Sequence, residues 1–437
     1  MHKINTILFF LFWIASGNIY GDDSKCHRST EGTDFWFGFM EGRNDNNNVH
    51  YIEITVTARE ETKFSVFFGK SSVAYETKTV SENNSVQIRI PSNLAEATGS
   101  ETIQDRGIHL VAEKPVNVYA LNWDRNSADV AVMYPIESLG KAYFTMCYTP
   151  RVDNDVQHGR NSEFLIVASK DTTVVKITPS VVTDNGKPAG VPFVITLHKG
   201  EVYQVQSMNQ RNLAGQGDLT GSYIESDKPI AVYSGNFSTT IPAEQGAGGY
   251  DHLYEQVPPI QTWGREYYAV PLLSRRADRY RVMASEDNTT VIIGNQPQIT
   301  LNKGQFYEFL LESNQYSRIA SNKPILVAQF SQSNSTDEYF TGGDGDPFMI
   351  ILSSVSQTKN DVTFVAYNSS QITNYYVNIV VRTIDKDNMM LDGELIGFHF
   401  KPFAGTDYSY AQLKIYSGTH TLRNLDSERG FLAYVYG

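Results

Sequence analysis

Apolar residues in this chain come in short alternating runs bounded by turn residues. In Gly32 to Phe39 (GTDFWFGF), Phe35, Phe37 and Phe39 fall on one face and Trp36 on the other. Tyr51-Ile-Glu-Ile-Thr-Val-Thr alternates cleanly, and Phe64-Ser-Val-Phe-Phe and Val86-Gln-Ile-Arg-Ile follow the same period. A period of two predicts strands half covered by a core. No stretch has convincing helical spacing, and Leu94 to Thr98 predicts at most a single turn.

One phrase recurs along the chain. Gly107 to Asn122 (GIHLVAEKPVNVYALN), Thr220 to Asn236 (TGSYIESDKPIAVYSGN) and Ser317 to Gln332 (SRIASNKPILVAQFSQ) each place an acidic or amide residue, Lys and Pro between two apolar runs, and Ser427 to Gly437 is a looser copy. Glu113-Lys114-Pro115, Asp227-Lys228-Pro229 and Asn322-Lys323-Pro324 read as hairpin turns, because proline presets φ and lacks a ladder donor. In the second arm Ile230 and Val232 face one way and Ala231 and Tyr233 the other, as in a strand covered on both sides. Two further hairpins are read at Lys170-Asp171 and at Lys199-Gly200, the second echoed by Lys303-Gly304. The segments between units rhyme as well: Tyr134-Pro135 with Leu139-Gly140-Lys141-Ala142-Tyr143, then Pro258-Pro259 with Trp263-Gly264-Arg265-Glu266-Tyr267.

This self-similarity predicts an all-β chain of about four related β-sandwich units, with a closed β-propeller-like arrangement as the alternative. The expected division is a signal peptide at 1–21, a polar lead at 22–31, and units at 32–128, 129–240, 241–335 and 336–437, the last three each opening on a bridge.

Composition narrows the function. Of 437 residues, 41% are hydrophobic and 19% charged, enough for several cores, and Tyr is abundant at 26. A dispersed net charge of -12 argues against nucleic acid or an anionic membrane as partner. The dense basic cluster, Arg275, Arg276, Arg279 and Arg281, reads as a solvated strand edge. Lys3 followed by the apolar run Ile7 to Ala15 predicts a secretory leader cleaved after Gly17 or Gly21, and no later stretch is apolar enough for membrane insertion. In an oxidising compartment Cys26 and Cys147 either pair or remain a tail thiol and a buried strand thiol. Asn83, Asn236, Asn288, Asn334 and Asn368 stand in Asn-x-Ser/Thr sequons and are candidate N-glycosylation sites.

Taken together, the opening GTDFWFGF, the SDKPIAVYSGN phrase and the bridge Asp251 to Tyr267 (DHLYEQVPPIQTWGREY) resemble the IgGFc-binding protein N-terminal domain family, over about Gly32 to Gly437. The resemblance implies an extracellular recognition or adhesion module with a protein or glycan partner. Immunoglobulin Fc is not carried over as the ligand, since no binding residue of the family can be transferred.

The residues give no hydrolase, Walker or zinc motif, so neither a catalytic set nor a cofactor or metal is expected. Asp344-Gly345-Asp346 lacks the spacing of a calcium loop. His252, beside Asp251 and near Glu255, is the acid/base candidate of an alternative reading, an extracellular enzyme on polysaccharide or glycoprotein; a rigid structural spacer is a third. Trp123, Tyr250, His252 and Trp263, at or near the unit junctions, are the candidate partner-binding residues.

Overall fold

A computed structural model describes residues 29–42, 50–124, 127–150, 161–208, 217–243, 248–273, 275–334, 346–368 and 372–437. The described chain is almost entirely strand; its single α-helix is the four-residue Ser92–Ala95. Three sheets repeat one order. From edge to edge the first runs Glu76–Val80, Thr62–Phe68, Ile108–Asp124, Tyr51–Ala58, Asn84–Pro91. The second runs Phe193–Leu197, Thr173–Thr178, Tyr223–Thr239, Ser162–Ala168, Val202–Gln206, with Ile103–Gln104 added at the last edge, and the third matches its first five around Ser317–Ser331.

Each copy of the Lys-Pro phrase lies inside one long central strand, not at a hairpin tip. Ile108–Asp124 and Tyr223–Thr239 span 17 residues each and Ser317–Ser331 spans 15. What changes at Lys-Pro is the partner. Residues 223–226 pair with Thr173–Thr178, whereas residues 230–236 pair with Ser162–Ala168. The strand thus crosses from one layer of a sandwich to the other, and proline sits where no ladder donor is needed. The other two turns are crossovers as well. Phe193–Leu197 and Val202–Gln206, which flank Lys199-Gly200, pair with different neighbours in different layers, as do the strands on either side of Lys170-Asp171. The expected hairpins are therefore arches. Turn residues report that the chain reverses, and do not report whether its two arms pair.

The fourth sandwich keeps the plan with its central strand divided into Gly418–Asn424 and Phe431–Tyr436, one in each four-stranded sheet. Alternation along the long strands came out as read. Ile230 and Val232 enter their own sandwich core, while Ala231 and Tyr233 join Phe37 and Phe39 in the core shared with the first sandwich. Ile325 and Val327 likewise face inward, and Leu326 and Ala328 meet the second sandwich.

Successive sandwiches pack into a ring. The Phe39 and Tyr254 rings stack at 5.8 Å between the first and second. Tyr268 meets Phe403 at 4.7 Å between the third and fourth. The fourth returns to the first, where Tyr367 Oη lies 2.6 Å from Thr55 Oγ1 and Thr57 Oγ1 donates to the Thr363 carbonyl at 2.9 Å.

Of the basic cluster, Arg276 is exposed and Arg279 half-buried, but Arg275 and Arg281 are not at a solvated edge. Arg281 is buried at the junction of the second and third sandwiches, paired with Asp218 at 2.8 Å and Glu308 at 2.9 Å. Its guanidinium lies 4.2 Å from the Tyr148 ring centre and 4.5 Å from that of Phe306. Arg275 is buried too, and its Nε donates to Ser331 Oγ at 2.9 Å. Strand alternation turned Arg281 inward onto acids and rings that lie far away in sequence.

Candidate functional site: a central cavity

One strand from each sandwich faces the middle of the ring: Ser127–Met133, Asp251–Gln256, Met349–Leu352 and Phe431–Tyr436. They contribute to the wall of a cavity of about 390 Å³. Its wall is mostly apolar and aromatic, with Tyr119, Phe348, Phe364 and Tyr375, and it carries two carboxyl groups, Asp129 and Glu255. Asp129 accepts hydrogen bonds from Val130 N at 2.8 Å and Tyr254 N at 2.9 Å. Burial nevertheless pushes its carboxyl up to about 8. Glu255 is raised well above the usual range by burial and then by Asp129. Asp251, bonded to Ser127 Oγ and, at 2.7 Å, to His252 N, is raised by burial and by Asp346. Near neutral pH Asp129 is mainly protonated, and burial favours the neutral form of Glu255 as well, so the cavity sets hydrogen-bonding groups among aromatic rings.

A second polar cluster lies between the first and second sandwiches. Gln206 Nε2 donates to Glu163 Oε2 at 2.8 Å and to Glu41 Oε2 at 3.1 Å, and burial raises both acids, Glu163 far more. His50 Nε2 sits 2.8 Å from Glu96 Oε2, and burial, which lowers its pKa, is outweighed by that carboxylate.

The structure separates the acid/base candidates. Along Asp251–Gln256, Asp251 and Glu255 share one face and His252 takes the other. His252 is 2% exposed, and burial holds its imidazole down at about 4. Its ring nitrogens lie toward the Asn236 and Phe237 backbone without closing a hydrogen bond. Trp263 is 5% exposed, and its Nε1 donates to the Pro258 carbonyl at 3.0 Å, so it is junction packing. Trp123, half-buried, stacks on Tyr51 at 4.7 Å, and Tyr250 is also half-buried; these two retain surface.

Among the sequons, Asn83, Asn288 and Asn368 are exposed and Asn334 is half-buried. Asn236 is fully buried, its Nδ2 donating to the Tyr148 carbonyl at 2.9 Å and its Oδ1 accepting from Tyr148 N at 2.8 Å, so the folded chain offers no amide there for a glycan. Cys147 is buried with its sulfur 3.3 Å from the Glu163 carbonyl, and burial pushes its thiol up to about 12. Cys26 lies outside the described residues, as do Asp344 and Gly345.

Sequence reasoning passed over Asp129, which fell at a unit boundary, and the tyrosines that lock the bridges. Gly140 N donates to Tyr143 Oη at 2.7 Å, which donates to the Ile230 carbonyl at 2.6 Å. Gly264 N, Tyr267 Oη and the Ile325 carbonyl repeat this at 3.1 and 2.5 Å. The signal was the shared Gly-x-x-Tyr of the rhyming bridges.

No helix among the described residues is long and apolar enough to cross a membrane. The human IgGFc-binding protein is 24% identical over 427 residues, an alignment that takes in 93% of this chain and 7% of that protein's length. The family model described as IgGFc binding protein matches residues 129–437, the span of the three later sandwiches with the strand before them, and the chain therefore belongs to the IgGFc-binding protein family.

Proposed function

We propose that this protein is a secreted, non-enzymatic recognition and adhesion module that holds an extracellular protein or glycan through loops at the junctions of its sandwiches. The observation that carries the reading is membership of a family named for binding, over a match that spans successive sandwiches. The architecture suits the role, because loops on a rigid β scaffold vary without disturbing the cores. Trp123, stacked on Tyr51 with Arg89 4.3 Å from the Tyr51 ring centre, supplies an accessible aromatic surface on that scaffold. Secretion rests on the amino-terminal apolar run, and the exposed sequons are then available for glycans.

The test is an array of extracellular proteins and glycans, immunoglobulin Fc included, probed with the chain from residue 22 onward. Saturable retention of a partner, weakened by Trp123→Ala with the fold intact, is expected. Retention of nothing would leave the spacer reading. Turnover of labelled polysaccharide would favour the enzyme.

A further inference from the structure

Phe431–Tyr436 differs from its counterparts in what covers it. In the first three sandwiches the second half of the long strand is paired on its outer side, by Ser127–Met133, Asp251–Gln256 and Met349–Leu352 respectively. Phe431–Tyr436 is the equivalent half-strand, and it pairs with Tyr375–Arg382 along one side alone. On its other side Phe431 exchanges both backbone bonds with Lys359, at 2.8 and 3.1 Å. Antiparallel alternation then aims the N–H and C=O of Ala433 and Val435 the same way. Neither residue has a backbone partner on that side among the described residues. Both are half-buried and line the central cavity. Unpaired backbone groups repeating every second residue along a strand edge are what an incoming strand satisfies.

We propose that this edge is a peptide-binding site, at which an extended segment of a partner protein adds antiparallel to Phe431–Tyr436 and completes the fourth sandwich. The wall sets the chemistry of the segment. Tyr119, Phe364 and Tyr375 favour apolar or aromatic side chains at the inward positions. Lys359 also lines the cavity, and its ammonium lies 3.6 Å from Glu31.

The chain's own amino terminus is the poorer occupant. Counting back from Gly32 as Ser127–Met133 stands before Gly140 reaches residues 19–25. In the chain from residue 22 onward, what remains of these is Asp22-Asp23-Ser24-Lys25, charged and without a β-branched or aromatic residue. The edge is distinct from the junction loops, so this site goes beyond the recognition reading.

The probe is a synthetic peptide copying Phe348–Ser354 of this chain (FMIILSS), a sister strand free of acids, with a version carrying proline at alternate positions as control. Titrated into residues 22–437, the peptide should bind and the proline version should not. Amide exchange at Ala433 and Val435 should slow about tenfold or more on binding. Ala128→Trp, which fills the cavity from the first sandwich's wall, should abolish binding. If that variant misfolds, exchange on the unsubstituted chain decides alone. Absence of binding, or protection confined to other strands, overturns the proposal. So does finding both amides already protected and freed only by deleting residues 22–28, which would give the edge to the chain's own terminus. An array partner retained by Ala128→Trp while the peptide is lost separates this site from the junction loops, and the loop reading fails on its own if the array is blank while the peptide binds.

Discussion

The Lys-Pro phrase shows how few side chains hold a strand crossing in place. Asp227 Oδ1 accepts from Val174 N at 2.8 Å, and Asn322 Oδ1 accepts from Thr290 N at the same 2.8 Å. Either residue supplies the one oxygen required, which is why acid and amide interchange there. Lys228 Nζ donates to the Asp171 carbonyl and Lys323 Nζ to that of Asp287, both at 2.6 Å, tying each crossing to the neighbouring arch. Asn322→Asp should therefore leave the denaturation midpoint nearly unchanged, whereas Asn322→Ala should cost about 0.5–1.5 kcal/mol by chemical denaturation. Tyr267→Phe strands the Gly264 donor and the Ile325 acceptor, both buried, and should cost about 1–3 kcal/mol with little change in the circular dichroism of the folded state. Arg281→Met leaves Asp218 without its buried cation and Glu308 with Arg279 alone, at 3.0 Å, and should cost about 3 kcal/mol in the same measurement. The phrase itself was plain in the sequence. Its geometry was not, since proline is equally suited to a turn and to an unpaired point within a strand.

Strands were the most legible elements, because a period of two is written into each segment by itself. Ile230 and Val232 against Ala231 and Tyr233 gave the two-sided burial of the second long strand before any coordinates did. Pairing was illegible for a physical reason: partners such as Ile166 and Val232 stand far apart in the chain, and no local residue names them. The arches around Lys199-Gly200 and Lys303-Gly304 carry hairpin chemistry, and only the partner of each arm shows otherwise. Glycine was read correctly at these bends, with φ of 83° at Gly200 and 75° at Gly304. Gly235 had no such signal. A Cβ built there would lie 1.6 Å from the Leu253 carbonyl oxygen, so the two backbones touch where the second long strand meets Asp251–Gln256. Gly235→Ala should displace that strand from the ring and lower the thermal midpoint by several degrees or more, by differential scanning calorimetry.

At the scale of the molecule, closure of the ring was invisible in the sequence, because the contacts that make it, Thr55 with Tyr367 and Thr57 with Thr363, join opposite ends of the chain. Packing of the sandwiches against one another buries the acids, and it gives stability a pH dependence whose sign follows from their shifts. Asp129, at about 8, and Asp251, Glu255 and Glu163, all raised by burial, bind protons more tightly folded than unfolded. Their contribution is complete below the ordinary carboxyl range and is lost as pH rises through the folded values. His50, also raised, acts in the same direction above its ordinary value near 6.5. His252 acts oppositely, since its folded value of about 4 means stability is lost as pH falls below about 6.5. Above that point His252 is neutral in both states and the acids dominate. The denaturant midpoint should therefore fall steadily from pH 6.5 to 8, and Asp129→Asn should flatten the slope across that window while leaving Glu163 and Asp251 to supply the remainder. A midpoint that rises over the same window would mean that these carboxyls are charged in the folded ring, and the protonated state assigned to Asp129 in the central cavity would fall with them.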